Sequence, residues 1–188
     1  MAKKVTYRVK RRRRRDGKTN YRKRLYLLKS KKHRFIVRVS GRKIIAQVVR
    51  YQSKGDQTVV NTSSLELKKY GWDGATGNAC SAYLTGLLCG KKALEKGVNE
   101  GILDIGLQTP IKGSNIFATL KGFVDTGIKI PHNKKALPLE NRVFGEEIEK
   151  YRKIKLNVLN VKEKILKSEG SKEKIQKVKE HDKEAEKK

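Results

Sequence analysis

Two β-branched runs, RFIVRVS at 34–40 and IIAQVVR at 44–50, are separated only by GRK at 41–43. Val and Ile favour extended backbone, and a Gly-containing break of three residues suits a tight reversal, so the pair reads as a β-hairpin. A second turn at Lys54-Gly55-Asp56 leads into Gln57 to Thr62, whose Thr58, Val59, Val60 and Thr62 predict a third strand. The nucleus of the fold is therefore a three-stranded antiparallel meander.

Downstream of the meander the periodicity changes. After the loop YGWDGATGN (70–78), Ala79 to Lys96 reads as a helix, with Ala79, Tyr83 and Leu87 on one stripe, Cys80, Leu84 and Leu88 beside it, and Gly97 as the stop. Gly86 and Gly90 lie inside it, where glycine costs about 1 kcal/mol against Ala, which predicts close backbone packing there, against the sheet. ILDIGL (102–107) suits a central strand. Ser114 or Asn115 then caps a helix with Phe117, Leu120 and Val124 on one face, ending at Gly127, and Ile128 to Ile130 is a last short strand before Pro131. Strands followed by alternating helix and strand predict a layered α/β domain over residues 31–139.

Upstream, the first 50 residues hold 21 basic side chains and one acidic, so most of the formal charge of +28 sits at the N-terminus. Residues 1 to about 24 have almost no aliphatic side chains and no apolar period, so they bury too little surface to offset the entropy of ordering. An arm that stays mobile until a polyanion holds it is expected. Thr19 or Asn20 caps a short helix whose Tyr21, Leu25 and Leu28 share a stripe that would tether the arm to the core, giving a basic segment 1–30. At the other end, residues 140–188 are rich in Lys and Glu. There, Ile148, Tyr151, Ile154, Val158, Ile165 and Leu166 suffice to dock one or two helices, and a solvated or disordered tail begins near Ser168.

The chemistry lies in the cations. Guanidinium groups fork onto phosphate oxygens and stack on bases, and in Tyr7-Arg8-Val9-Lys10, Arg11 to Arg15, Lys18, Tyr21, Arg22, Lys23 and Arg24 they are interleaved with aromatic faces for unpaired nucleotides. RNA suits this arm better than a smooth duplex. A nuclear-import signal or a nonspecific basic tail is the plainer reading of the same run. Arg34, Arg38, Arg42 and Lys43 extend the charge onto the hairpin. Arg34 and Arg38 share a strand face with Ile36, where such arginines ordinarily only solvate an outer surface, but closeness to the arm favours RNA contact. The loop Ile130-Pro131-His132-Asn133-Lys134-Lys135 adds a mixed polar and cationic tip.

Other classes lack their signatures. There is no GxxxxGK[ST] loop, GxSxG elbow or HExxH, and His33, His132 and His181 are too scattered for a metal site, so no catalytic residue, metal or cofactor is expected. Asp56, Asp73, Asp104 and Asp125 are read as turn, cap and surface residues rather than a two-metal centre. Cys80 and Cys89 lack CxxC spacing and read as buried thiols in a reducing compartment. No apolar run nears the roughly 18 residues that span a bilayer, and no apolar signal core precedes the charge, which predicts a cytoplasmic protein without a membrane partner.

Three stretches taken in order, RRRRRDGKTNYRKRLYLLKS (11–30), YGWDGATGNACSAYLTGLL (70–88) and SNIFATLKGFVDTGIKIPHN (114–133), resemble the archaeal and eukaryotic branch of the ribosomal L-eighteen family, the 5S rRNA-binding proteins of the large subunit. The resemblance implies a three-layer α/β domain with a mixed sheet, similar to the ribonuclease-H-like motif, with a basic arm, to which the residues themselves add a helical tail. It also implies a monomer that attaches 5S rRNA to large-subunit rRNA in the central protuberance, beside neighbouring ribosomal proteins. Family RNA contacts carry over onto Tyr7, Arg8, Lys10, Arg11, Arg12, Arg13, Arg14, Arg15, Lys18, Asn20, Tyr21, Arg22 and Arg24, and further onto Arg38, Arg42, His132 and Lys134. After about Arg142 the sequence departs from the family pattern. Two other classes compete: a two-metal nuclease, whose first strand would carry a carboxylate that FIVRVS lacks, and a nonspecific nucleic-acid packaging protein, suggested by the arginine run alone.

Overall fold

The computed structural model describes residues 8–152 and 157–167. Tyr7, Ile154 and the tail from Ser168, each given a role above, lie outside the described residues. In chain order come helix α1 (Arg12–Arg15), α2 (Tyr21–Lys29), strands β1 (His33–Val39), β2 (Ile44–Arg50) and β3 (Gln57–Ser63), and a 3-10 helix at Ser64–Tyr70. Helix α3 (Ala79–Glu95), strand β4 (Gly101–Asp104) and helix α4 (Asn115–Asp125) complete the domain body, and α5 (Glu140–Phe144), α6 (Glu146–Arg152) and α7 (Val158–Lys167) follow.

The hairpin and third strand form as the β-branched pattern predicts: β1 pairs antiparallel with β2, β2 with β3, and a bulge between Val48 and Val49 shifts the register. The sheet order is β3-β2-β1-β4, with β4 parallel to β1. ILDIGL is thus an edge strand of four residues rather than a central one. Its outer neighbour shrinks to a single parallel bridge between Glu100 and Lys129, because Pro131 cuts short the run from Ile128 to Ile130.

Alternation along β1 and β2 sends Phe35, Val37, Ile44, Ala46 and Val48 inward, where all five are fully buried. Onto that face pack α3 and α4, and the ring of Phe123 meets Phe35 edge to face at 4.9 Å between centroids. Helix α4 turns Ile116, Leu120 and Phe123 to the core, with Phe117 and Val124 only partly buried, so its apolar stripe is rotated from the predicted one.

Gly86 and Gly90 face α4 and not the sheet. A Cβ on Gly86 would lie 2.1 Å from the Thr119 carbonyl oxygen, and one on Gly122 would lie 2.2 Å from that of Tyr83. Both helices are therefore pared to backbone where they cross.

Behind α3 a second apolar cluster forms from Leu67, Trp72, Tyr83, Leu84 and Val143 with Val158, Val161 and Ile165 of α7. Its 3-10 helix was not anticipated, although Ser63 and Glu66 supply a reciprocal capping box at its start. Helix α7 docks as expected, whereas Tyr151 on α6 is 91% exposed and docks nowhere among the described residues. The expected three-layer α/β architecture with a mixed sheet is present. Both cysteines are buried thiols, Cys80 donating to the Arg142 carbonyl at 3.7 Å, and burial pushes the Cys89 thiol up to about 12 despite the lowering influence of Thr62 and Lys92 beside it.

Candidate nucleic-acid interface

Arg12 to Arg15 make one helical turn rather than a featureless arm, and none of them is buried. The turn closes through local bonds: Lys18 N and Thr19 N donate to the Arg13 carbonyl, and Arg13 Nε donates to Thr19 Oγ1 at 2.8 Å. Gly17, at φ +64°, lets the chain reverse into α2. Of the two candidate caps, Asn20 takes the role, its Oδ1 accepting from Arg22 N and Lys23 N at 3.1 and 3.2 Å.

Helix α2 buries no residue, and Leu25 is 57% exposed. The Tyr21-Leu25-Leu28 stripe does not enter the core; it lines a groove of about 1170 Å³ together with Arg8, Lys10, Arg11, Arg13 and Arg14. Arg11 lies over the Tyr21 ring, 5.1 Å from its centroid, so cation and aromatic face are already stacked. The groove's far wall is Tyr51 and Asp56, which the sequence reading did not assign to RNA. Tyr51, 53% exposed, belongs to no periodic pattern that would single it out. Asp56 carried a signal that could have been used: it is the sole acid between Asp16 and Glu66.

A second cleft runs between α2 and the outer face of the sheet, bringing Lys18, Asn20, Arg24 and Arg38 beside Arg34, Asp56 and Asp104. Arg34 is corrected here: its side chain is 2% exposed, and it reaches Asp104 Oδ2 at 3.0 Å and Asp56 Oδ2 at 2.6 Å. Asp104, also expected at the surface, is only 7% exposed. A buried guanidinium needs such partners, since an uncompensated charge there costs several kcal/mol. Arg24 donates to Asp56 Oδ1 at 2.9 Å. Burial works to raise the Asp56 carboxyl, but hydrogen bonds and charge from Arg34 and Arg24 outweigh it and hold the group below the ordinary value of 3.8. Arg38 donates to the carbonyls of Val37 and Asp104 at 2.8 and 3.0 Å, so part of its guanidinium is committed to the β1–β4 edge.

The remaining candidates lie apart from both clefts. Arg42 is exposed in the hairpin turn, and its carbonyl accepts from Thr76 Oγ1 at 2.6 Å. His132 is half-buried with Nδ1 2.7 Å from the Ile130 carbonyl, and Lys134 is exposed on the short 3-10 turn Lys134–Ala136. Arg12, Arg15 and Arg22 are exposed but line neither cleft. Asp125 accepts from the Tyr83 hydroxyl at 2.8 Å, and among the described residues no three His, Cys, Asp or Glu side chains gather as a metal site. Nor is any described helix long and apolar enough to cross a membrane.

The family described as ribosomal large subunit proteins 60S L5 and 50S L18 matches residues 5–100 and 95–133. The chain belongs to this family. Large ribosomal subunit protein uL18 of Methanothermobacter thermautotrophicus is 48% identical over 145 residues, covering 77% of this chain and 76% of that protein. The protein of the same name from Methanosphaera stadtmanae is 49% identical over 151 residues, covering 80% and 78%. These relatives are structural proteins of the large ribosomal subunit, not enzymes, which removes the nuclease alternative.

Proposed function

We propose that this chain binds 5S rRNA through its basic arm and attaches it to large-subunit rRNA in the central protuberance, as one copy per cytoplasmic ribosome. The observation that carries the reading is the groove itself: cations of the arm and aromatic faces of Tyr21 and Tyr51 line one open channel above a helix with no fully buried residue. Such a surface neutralises phosphates and offers stacking faces to splayed bases, as single-stranded and looped RNA requires. Segment 1–30 is the RNA-holding arm, 31–139 the body that places it, and 140–188 an appended tail. Arg42, His132 and Lys134, apart from the groove, form a second set of contacts for large-subunit rRNA.

Competition binding tests the reading. Wild-type protein is expected to release a labelled 5S rRNA to unlabelled 5S rRNA far more readily than to bulk tRNA; equal displacement would favour nonspecific packaging instead. Deleting residues 1–24 should flatten the salt dependence, by about 0.7 to 0.9 units of slope for each phosphate no longer neutralised. An unchanged slope would place the contacts elsewhere.

A further inference from the structure

Five side chains from separate parts of the chain alternate in charge along the outer face of the sheet: Arg24, Asp56, Arg34, Asp104 and Arg38. Arg24 of α2 meets Asp56 Oδ2 at 2.8 Å, Asp56 meets Arg34 at 2.6 Å, Arg34 meets Asp104 at 3.0 Å, and Arg38 meets Asp104 at 3.5 Å. The inner part is rigid, because Arg34 is buried and Asp104 Oδ1 also accepts from Gly106 N at 2.9 Å. Only the Arg24 end belongs to the helix that carries the arm.

Helix α2 has nine residues, too few to persist alone in water, and it buries none of them. Among the described residues, the only side-chain hydrogen bond or ion pair from α2 to the domain body is the one between Arg24 and Asp56. Asp56 is moreover a carboxylate in the wall of a groove otherwise lined by at least six cations, a place where plain electrostatics disfavours it for any polyanion-binding surface.

Resting on the RNA-binding reading above, we propose that Asp56 is a positioning residue for RNA recognition: through Arg24 it fixes how α2 and the arm lie on the groove. It thereby raises selectivity for a folded RNA while lowering attraction to polyanions in general. Arg34 acts as the buried strut that holds Asp56 in place.

The two possible roles of Asp56 have opposite signs, which makes the test decisive. In Asp56→Asn, a purely electrostatic role raises affinity for 5S rRNA and bulk tRNA alike. A positioning role raises tRNA binding but lowers the ratio of 5S rRNA to tRNA affinity, by about fivefold for an ion pair near the upper end of part-exposed cases. Equal gains for both RNAs, or an unchanged ratio, overturn the proposal. In an Arg24→Gln background Asp56→Asn should no longer change the ratio; an undiminished change would show that Asp56 does not act through Arg24.

Hydrogen exchange on the free full-length protein gives an answer that involves no RNA and still holds if Asp56→Asn folds poorly. Arg24→Gln leaves the Arg34–Asp56 pair intact, and amides of α2 should exchange faster in it while those of β1 and α3 do not; unaltered α2 protection sinks the anchoring role. Failure of the wild-type protein to prefer 5S rRNA over tRNA would instead sink the RNA reading, leaving the exchange result to stand on its own.

Discussion

The inner and outer faces of the sheet are held by different forces. Inside, Phe35, Val37, Ala46 and Val48 meet α3 and α4, whose own contact is so close that Gly86 and Gly122 have no room for a methyl group. Outside, α2 has no fully buried residue, and an alternating chain of arginines and aspartates links it to the strands. Apolar close packing is non-directional and is not screened by salt, whereas part-exposed ion pairs are weak and screened. The body is thus held by packing, and the attachment of α2 by forces that salt can weaken.

The largest effect that would sharpen this contrast is expected for Gly86→Ala. Its new Cβ meets the Thr119 backbone, and loss of more than about 3 kcal/mol in denaturant unfolding should follow. A loss below about 1 kcal/mol would show that the helix crossing yields and is not tight. Arg34→Met comes next. With Asp104 left buried and short of its main partner, about 3 kcal/mol of stability should go, and a neutral result would mean that water reaches this site.

Smaller again, Tyr21→Ala is expected to leave the unfolding midpoint nearly unchanged. It should weaken 5S rRNA binding by about 1 to 3 kcal/mol, and bulk tRNA binding less; equal losses would reduce Tyr21 to a generic contact. The gentlest test is acid. The folded-state pKa of Asp56 lies below its ordinary 3.8, so the pairing contributes fully above that value and is lost only as pH falls through the lower folded one. Amide chemical shifts of α2 should therefore hold steady from neutral pH to about 4 and move below it. Movement centred near pH 6 would exclude Asp56 as the cause.

Much of the body was legible because its forces are local and periodic. β-Branched alternation marked three strands, Asn20 stood where an N-cap belongs, and Gly97 followed α3 at φ +75°. Three of the errors share one origin, in contacts between residues distant in sequence. ILDIGL reads as central from its apolar content, but its place at the sheet edge depends on pairing with a strand some 70 positions earlier. Gly86 signals close approach without saying to what, and the partner is α4. Arg34 looks like an outer-face arginine until Asp56 and Asp104 are brought to either side of it.

At the interface the cations could be read from composition, whereas the groove's other wall could not. Tyr51 follows β2 with no pattern to mark it, and the stripe Tyr21-Leu25-Leu28 looks like a core stripe although it faces a channel. Hydrophobic spacing identifies one side of a helix; it does not say whether protein or a ligand will cover that side.

The alternating charge chain can close only in the order in which translation delivers its members. Arg24 and Arg34 leave the exit tunnel before Asp56, and Asp104 follows well after all three. The nascent chain therefore presents its densest positive segment while the counter-charges that would seat it are still unmade. Only when β4 adds to β1 is the last anion delivered, so the seat for the arm is completed together with the sheet edge rather than with the hairpin that begins it.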